Sequence, residues 1–285
     1  MRAAAVQLNS TDDADRNLEA AGVLVARAAS AGAELIVLPE KWSLLGPGEL
    51  LAERAEPLES SAAVVAARGW AREHGAFLLA GSVGERLEGS ERIANTSVLI
   101  DPEGSTLAIY RKIHMFDVDV GGVTYRESEH ERAGEEVVTA VLAPPGREPI
   151  ELGMTICYDL RFPELYRVLA LAGARVITVP SAFTAATGEP HWDVLLRARA
   201  IENQLFVIAA NQTGTAPPEY SSWGHSAIVD PWGRVLAGCA DEGGVAVAEL
   251  DFTVLEEIRA QIPALANRRP SAYRWPDMTR IESHA

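Results

Sequence analysis

The sequence predicts one layered α/β domain, with helices outside and sheet within. Three observations predict it. Short apolar runs, of the kind strands show when covered on both faces, alternate with stretches whose apolar residues recur at helical spacing. That alternation continues along nearly the whole chain, with no internal repeat, low-complexity tract or linker. A length of 285 residues admits one large domain or two small ones, and 48% hydrophobic with 23% charged residues is the mix of a packed globular protein.

The elements follow in order. AAAVQL reads as a strand, and Asp15 to Ala31 as a helix, because Leu18, Ala21, Val25 and Ala28 fall on one face. ELIVLPE is a continuous apolar strand closed by Pro39. Ser61 to His74 is helical again and AFLLAGSV is strand-like. NTSVLIDPEGSTLAIYRK reads as a hairpin, with DPEG as its turn: proline second and glycine fourth. PIELGMTIC is the next core strand, and Pro163 opens a helix as its first residue, with Leu165, Val168, Leu169 and Ala172 as its apolar stripe. ARVITVPSAF is a strand. HWDVLLRARAIENQ is a helix opened by His191 and Trp192, LFVIAANQ is a strand, and SAIVDPWGRVLAG is strand, turn and strand. Residues 1–262 therefore form the domain. The Pro- and Arg-rich stretch 263–285 is expected to cross the surface or a partner subunit.

Composition narrows the function. A net charge of −15 repels phosphate backbones, which argues against nucleic acid, and an anionic substrate would need a local basic residue. No apolar run approaches the length of a membrane span, and MRAAAVQLNS turns polar at Gln7 too early for a signal peptide. Cys157 and Cys239 are the two cysteines, without CxxC or Cys/His metal spacing. Counting leaves a disulfide possible, but a reducing cytoplasm is the economical expectation.

Three strand ends carry candidate chemistry. GMTICYDLRFPE places Cys157 where a core strand stops and a helix is about to start. Free backbone N–H groups and the helix dipole there are expected to favour thiolate. A lone cysteine in an apolar strand is more often a buried small hydrophobe, so the rest of the chain must decide. Glu40 stands at the mouth of ELIVLPE, where a partly desolvated carboxylate can trade protons, although alone it reads as a loop acid. Lys112 ends LAIYRK and could meet a developing oxyanion, or be a solvated edge charge. In layered α/β proteins strand ends converge on a ligand crevice, and finding all three groups there is a demanding coincidence.

The set LPEKWS, YRKIHMFD and ICYDLRFPELYR resembles the nitrilase superfamily of carbon–nitrogen hydrolases. The likeness runs from AVQLNS through GHSAIVDPWGRVLA to RRPSAY, and HWDVLLRARAIENQ and FDVDVGG suggest the amidase branch, the omega-amidases and deaminated-glutathione amidases. What the resemblance implies is a four-layer α-β-β-α sandwich, pairing sheet-side into a homodimer or a larger homo-oligomer. Glu40 would be the general base, Lys112 the cation that stabilises the intermediate and Cys157 the nucleophile. Glu127, fifteen residues past Lys112, would position the lysine, against a plain reading as one more loop acid. His114 falls to a supporting or turn position. No metal or organic cofactor is implied.

Around that set, Arg161 is placed to clamp a substrate carboxylate, or to pair with Asp159 or Glu164. Tyr158, Phe183 and Thr184 are expected to line the pocket. His191 and Trp192 read equally as structural or substrate-facing, and Trp223 and His225 of WGHS receive no chemistry. The expected reaction is hydrolysis of a small carboxylate-bearing amide to carboxylate and ammonia through a thioester. Dicarboxylate monoamides come first, then deaminated glutathione, then N-carbamoyl amino acids; nitriles follow behind, and acyl transfer to an amine uses the same thioester. A catalytically silent scaffold is the contrasting reading, against which the joint presence of Glu40, Lys112 and Cys157 counts.

Overall fold

The computed structural model describes residues 1–273. Its first sheet holds β1 (Arg2–Gln7), β2 (Leu35–Val37), β3 (Phe77–Leu79), β4 (Val83–Glu85), β5 (Ala94–Ile100) and β6 (Thr106–Arg111). β7 (Asp117–Val120) and β8 (Val123–Arg126) form a separate hairpin. The second sheet begins with β9 (Thr139–Leu142), β10 (Ile150–Met154), β11 (Val176–Thr178) and β12 (Phe206–Ala209). A further hairpin, β13 (Thr213–Ala216) and β14 (Tyr220–Trp223), precedes β15 (Ala227–Val229) and β16 (Val235–Gly238), which complete that sheet. β17 (Gly244–Glu249) returns to pair antiparallel with β1. The helices are α1 (Ala14–Ser30), α2 (Gly48–Arg54), α3 (Ala62–His74), α4 (Pro163–Leu171), α5 (Ala185–Asn203) and α6 (Phe252–Gln261).

Each sheet has a parallel centre: β1-β2-β3 in the first and β10-β11-β12 in the second. Period-2 alternation sorts their side chains. Ala3, Ala5, Leu35, Val37 and Leu79 share one core with Leu152, Met154 and Val176 of the other sheet. Their neighbours Ala4, Val6, Ile36 and Leu78 pack instead on Ala21, Val25 and Ala28 of α1 and Val64, Ala67 and Ala71 of α3. α4 and α5 cover the outer face of the second sheet. The result is the four-layer α-β-β-α sandwich. Each Val, Leu, Ile or Met side chain wholly withdrawn from water contributes roughly 1.5–3 kcal/mol, and each alanine methyl less. Both broad faces of each sheet are occupied within the chain.

The hairpin expected at 95–112 is β5–β6, turning at Asp101–Gly104, where the Gly104 N–H donates to the Asp101 carbonyl at 2.9 Å. Three expectations need correction. AFLLAGSV is not one strand but β3 and β4, bent at Gly81, whose φ of +41° is open to glycine. α4 buries Leu165, Tyr166, Leu169 and Ala170, leaving Val168 and Ala172 exposed. The stripe is rotated because Tyr166 can enter the core once its hydroxyl meets Thr155 at 3.1 Å. α5 starts at Ala185, six residues before His191, despite Gly188 and Pro190. Gly188 is what permits that first turn, since a Cβ there would lie 2.2 Å from Trp223. Of the tail, residues 263–273 are mostly exposed and include a 3-10 turn at Pro270–Ala272; the remainder lies outside the described residues.

Gly81 also sets the wall behind Glu40, because a Cβ there would stand 1.9 Å from the Pro39 carbonyl oxygen. Gly75 offers a control: it has φ +60° but open space around its missing Cβ. Gly81→Ala should cost about 2 kcal/mol more in urea denaturation than Gly75→Ala, since backbone overlap adds to left-handed strain. Equal costs would show that the wall yields.

Candidate active site

β2, β10 and β11 end on the same edge, and the residues just past them meet beside the end of β6. Glu40, Lys112 and Cys157 converge there and are nearly water-free, at 2%, 2% and 7% exposure. Lys112 Nζ donates to Glu40 Oε1 at 2.9 Å and to both oxygens of Glu127, at 2.9 and 2.7 Å. Asn95 Nδ2 donates to Glu40 Oε1 at 2.9 Å and the Ala182 N–H to Glu40 Oε2 at 2.8 Å. The Glu40 carboxylate lies close enough to the Cys157 thiol for its charge to bear on it. All four expected groups therefore come together, Glu127 included.

Cys157 sits in the left-handed region at φ +47°, between β10 and a 3-10 turn running from Cys157 to Arg161. Strain of this kind persists only where its surroundings impose it. Here they do. The Cys157 N–H is tied to the Pro180 carbonyl at 2.8 Å. Asp159, wholly buried, accepts from the Tyr110 hydroxyl at 2.6 Å, the Ile156 N–H at 2.8 Å and the His114 N–H at 3.2 Å. His114 Nδ1 also meets Asp159 at 2.7 Å, and its ring stacks on Phe162. His114 thus supports the turn, and Asp159 is committed to it instead of to Arg161.

The thiolate expectation is overturned. Burial, then the Glu40 carboxylate, push the Cys157 thiol well above its ordinary range, and Lys112 only partly opposes them. α4 does not begin until Pro163, so its dipole acts from several residues away. Cys157 therefore rests as a thiol, with the Glu40 carboxylate nearby. Lys112 and Glu127 sort the other way, towards their charged forms. Burial alone would lower Lys112, but Glu127 and then Glu40 raise it well above its ordinary value. Burial would raise Glu127, but Lys112, Lys41 and the Phe116 N–H at 2.8 Å hold it far below.

These groups floor a cavity of about 760 Å³. Tyr158, Arg161, Phe183 and Thr184 all line it, as expected. The Arg161 guanidinium lies 5.0 Å from the Phe183 ring centre and 3.2 Å from His191 Nδ1. Neither Asp159 nor Glu164 pairs with it. Trp192 is buried, its indole N–H donating to the His225 carbonyl at 2.7 Å. Cys239 is half-buried, and both cysteines are free.

Sequence reasoning missed four participants. Asn95 was within reach: the register pairs Thr96 with Arg111, so Asn95 stands across from Lys112. Lys41 follows Glu40 directly, and Glu131 follows Glu127 by four residues in a very acidic stretch, yet nothing in spacing alone draws either inward. Tyr220 lines the cavity from β14 and its hydroxyl donates to the Ala182 carbonyl.

The fold and this site define a carbon–nitrogen hydrolase. A family model described as carbon-nitrogen hydrolase matches residues 2–260, and the chain belongs to that family. Among relatives, it is 41% identical over 276 residues to the deaminated glutathione amidase of Mus musculus, covering 95% of this chain and 84% of that protein. It is 42% identical to the deaminated glutathione amidase of Synechocystis, covering 93% and 97%. The structure matches Caenorhabditis elegans NitFhit with a TM-score of 0.87 at 37% identity, over 96% of this chain and 66% of that longer one. It matches Saccharomyces cerevisiae Nit3, of the nitrilase superfamily, at 0.84 and 31% identity over 94% and 96%. A variant of the Nesterenkonia amidase, at 0.75 and 30% over 92% and 98%, carries a Michael adduct of acrylamide on its active-site cysteine.

A carboxyl held low in the fold stabilises it above the ordinary glutamate value of 4.5, and that stability is lost as acid protonates it. Glu127→Gln should therefore lose about 3 kcal/mol or more at neutral pH. The deficit should shrink as the pH falls below the ordinary value. A deficit that stays constant into acid would show that Glu127 is not the charged partner of Lys112.

Proposed function

We propose that the chain hydrolyses a linear, carboxylate-bearing amide through a thioester on Cys157. The observation that carries this reading is the convergence of Glu40, Lys112 and Cys157 at the floor of one cavity, with the Lys112 ammonium donating to Glu40 at 2.9 Å. Glu40 accepts the thiol proton while the sulfur attacks the amide carbon. Taking up that proton weakens the hold of Glu40 on Lys112. One ammonium N–H, with the Tyr158 N–H beside it, then turns to the oxyanion just as it forms. A donor set in place in this way is worth about 3–4 kcal/mol of barrier. The amine leaves with the proton from Glu40, and the same carboxylate deprotonates the water that cleaves the thioester.

For the substrate, the names of the relatives favour deaminated glutathione over the dicarboxylate monoamides that the sequence put first. The cavity volume also suits a peptide-sized molecule. Arg161, stacked on Phe183 and free of carboxylate partners among the described residues, supports a substrate carboxylate in the cavity. The leaving group from deaminated glutathione is a dipeptide amine, whereas a monoamide yields ammonia.

A panel of deaminated glutathione, dicarboxylate monoamides and N-carbamoyl amino acids, scored for released amine or ammonia, tests the assignment. Deaminated glutathione should show the highest kcat/KM, and a monoamide turned over faster would restore the first ordering. Cys157→Ala should abolish turnover with the melting profile retained; surviving activity would end the thioester mechanism. Arg161→Ala should raise KM for anionic amides about tenfold and leave neutral amides unaffected. Equal losses on both would remove the clamp.

A further inference from the structure

A second ammonium lies at the floor of the same cavity, and the mechanism above gives it nothing to do. Lys41 Nζ stands 2.7 Å from Glu131 Oε1 and 3.1 Å from Glu127 Oε1. That Glu127 oxygen also receives Lys112. Five charged groups thus alternate in one buried chain: Glu40, Lys112, Glu127, Lys41 and Glu131. The backbone of Lys41 sits at φ +53°, an unfavourable place for a lysine, with its N–H held by the Ser82 hydroxyl at 3.0 Å. Its side chain is 16% exposed and that of Glu131 is 3%. One oxygen of Glu131, Oε2, has no hydrogen-bond partner among the described residues. A solvated ion pair needs neither the strain nor the burial.

We propose that Lys41 and Glu131 are a positioning pair, which holds Glu127 square on Lys112 while Glu131 is ionised and loosens when it takes a proton. The inference rests on the hydrolytic reading of this site. With Glu131 charged, Lys41 is shared between two carboxylates, and Glu127 keeps both oxygens on Lys112. With Glu131 protonated, the Lys41 charge falls wholly on Glu127 Oε1 and competes with Lys112 for it. The Lys112 ammonium then loses the fixed geometry that oxyanion capture needs.

The neighbours place that change near neutrality. Glu131 is faced by Glu127 from its own segment, by Lys41 from the loop after β2 and by Lys112 from the end of β6. Lys41 is faced by Glu40 as well. On either side of Glu131, His130 turns to Glu49 of α2 and Arg132 to Glu135. Burial and then Glu127 push the Glu131 carboxyl up to about 7, against the pull of Lys41 and Lys112. The unpartnered Oε2 is the natural seat for the proton.

Three readouts on the full chain test this across mildly acid to mildly alkaline pH. Iodoacetamide alkylation of Cys157 needs the thiol and Glu40 but forms no oxyanion. Protection of Cys157 by propionaldehyde does form one: sulfur bonds to the carbonyl carbon as the thiol proton passes to Glu40, the C=O π pair moves onto oxygen beside Lys112, and return of that proton to the oxygen completes the hemithioacetal. Release of amine from the preferred amide reads the full reaction. In the wild type, protection and turnover should fall about tenfold as the pH drops through neutrality. Glu131→Gln should show the low value at every pH, while its alkylation rate stays within about threefold of wild type. Lys41→Met, which removes the competing ammonium, should lose the pH dependence of protection and turnover in this range, and if it fails to fold Glu131→Gln alone decides. Protection and turnover in Glu131→Gln that keep the wild-type pH profile, or that fall in step with alkylation, would overturn the proposal. If the aldehyde behaves as expected while no amide is turned over by wild type, the hydrolytic reading fails and the positioning pair stands.

Discussion

The ammonium of Lys112, shared between Glu40 and Glu127 away from water, is the interaction on which the rest of this structure depends. A buried charge stripped of its partners costs several kcal/mol, so the three groups stand or fall together. Their separation in the chain means that the whole sandwich must form first. Glu40 follows β2 and Lys112 follows β6 of the first sheet, while Cys157 follows β10 of the second. Packing of one sheet on the other brings thiol to carboxylate. The fold is therefore a device for holding charges that would otherwise be solvated.

Around that centre, polar groups are spent on geometry rather than on stability. Asn95 and the Ala182 N–H occupy three of the directions from which Glu40 could drift, together with Lys112. Asp159 does the same for Cys157, collecting Tyr110, His114 and the Ile156 N–H so that the cysteine can keep its left-handed backbone. The consequence is chemical. Because burial and a nearby carboxylate both disfavour the thiolate, the thiol keeps its proton at rest. Reactivity then appears only when an electrophile enters, which protects the cysteine from idle chemistry.

Much of this was legible in the chain. Continuous apolar runs at β1, β2, β11 and β12 announce strands covered on both faces, and DPEG fixes the β5–β6 turn that delivers Lys112. Three motifs in order were enough to group Glu40, Lys112 and Cys157, and the family resemblance added Glu127. What stayed hidden depends on three-dimensional competition. Periodicity on α4 could not choose between two overlapping stripes, because Tyr166 needed a partner from Thr155 to enter the core. The start of α5 was masked by Gly188 and Pro190, residues that usually break a helix and here make room for Trp223. The helix-start argument for a thiolate failed because burial and a neighbouring carboxylate outweigh a dipole at several residues' distance. Lys41 and Glu131 look like surface charges until the fold turns both inward.

The central claim is that the charge on Lys112 is already taken up by two carboxylates, which leaves the sulfur protonated and dependent on Glu40. Ultraviolet titration of the thiolate band, as the difference between wild type and Cys157→Ala, measures this directly. The account predicts no thiolate at neutral pH and none until well into alkali. A thiolate already present at neutrality would mean that Lys112 serves the sulfur first and that Glu40 is not its base.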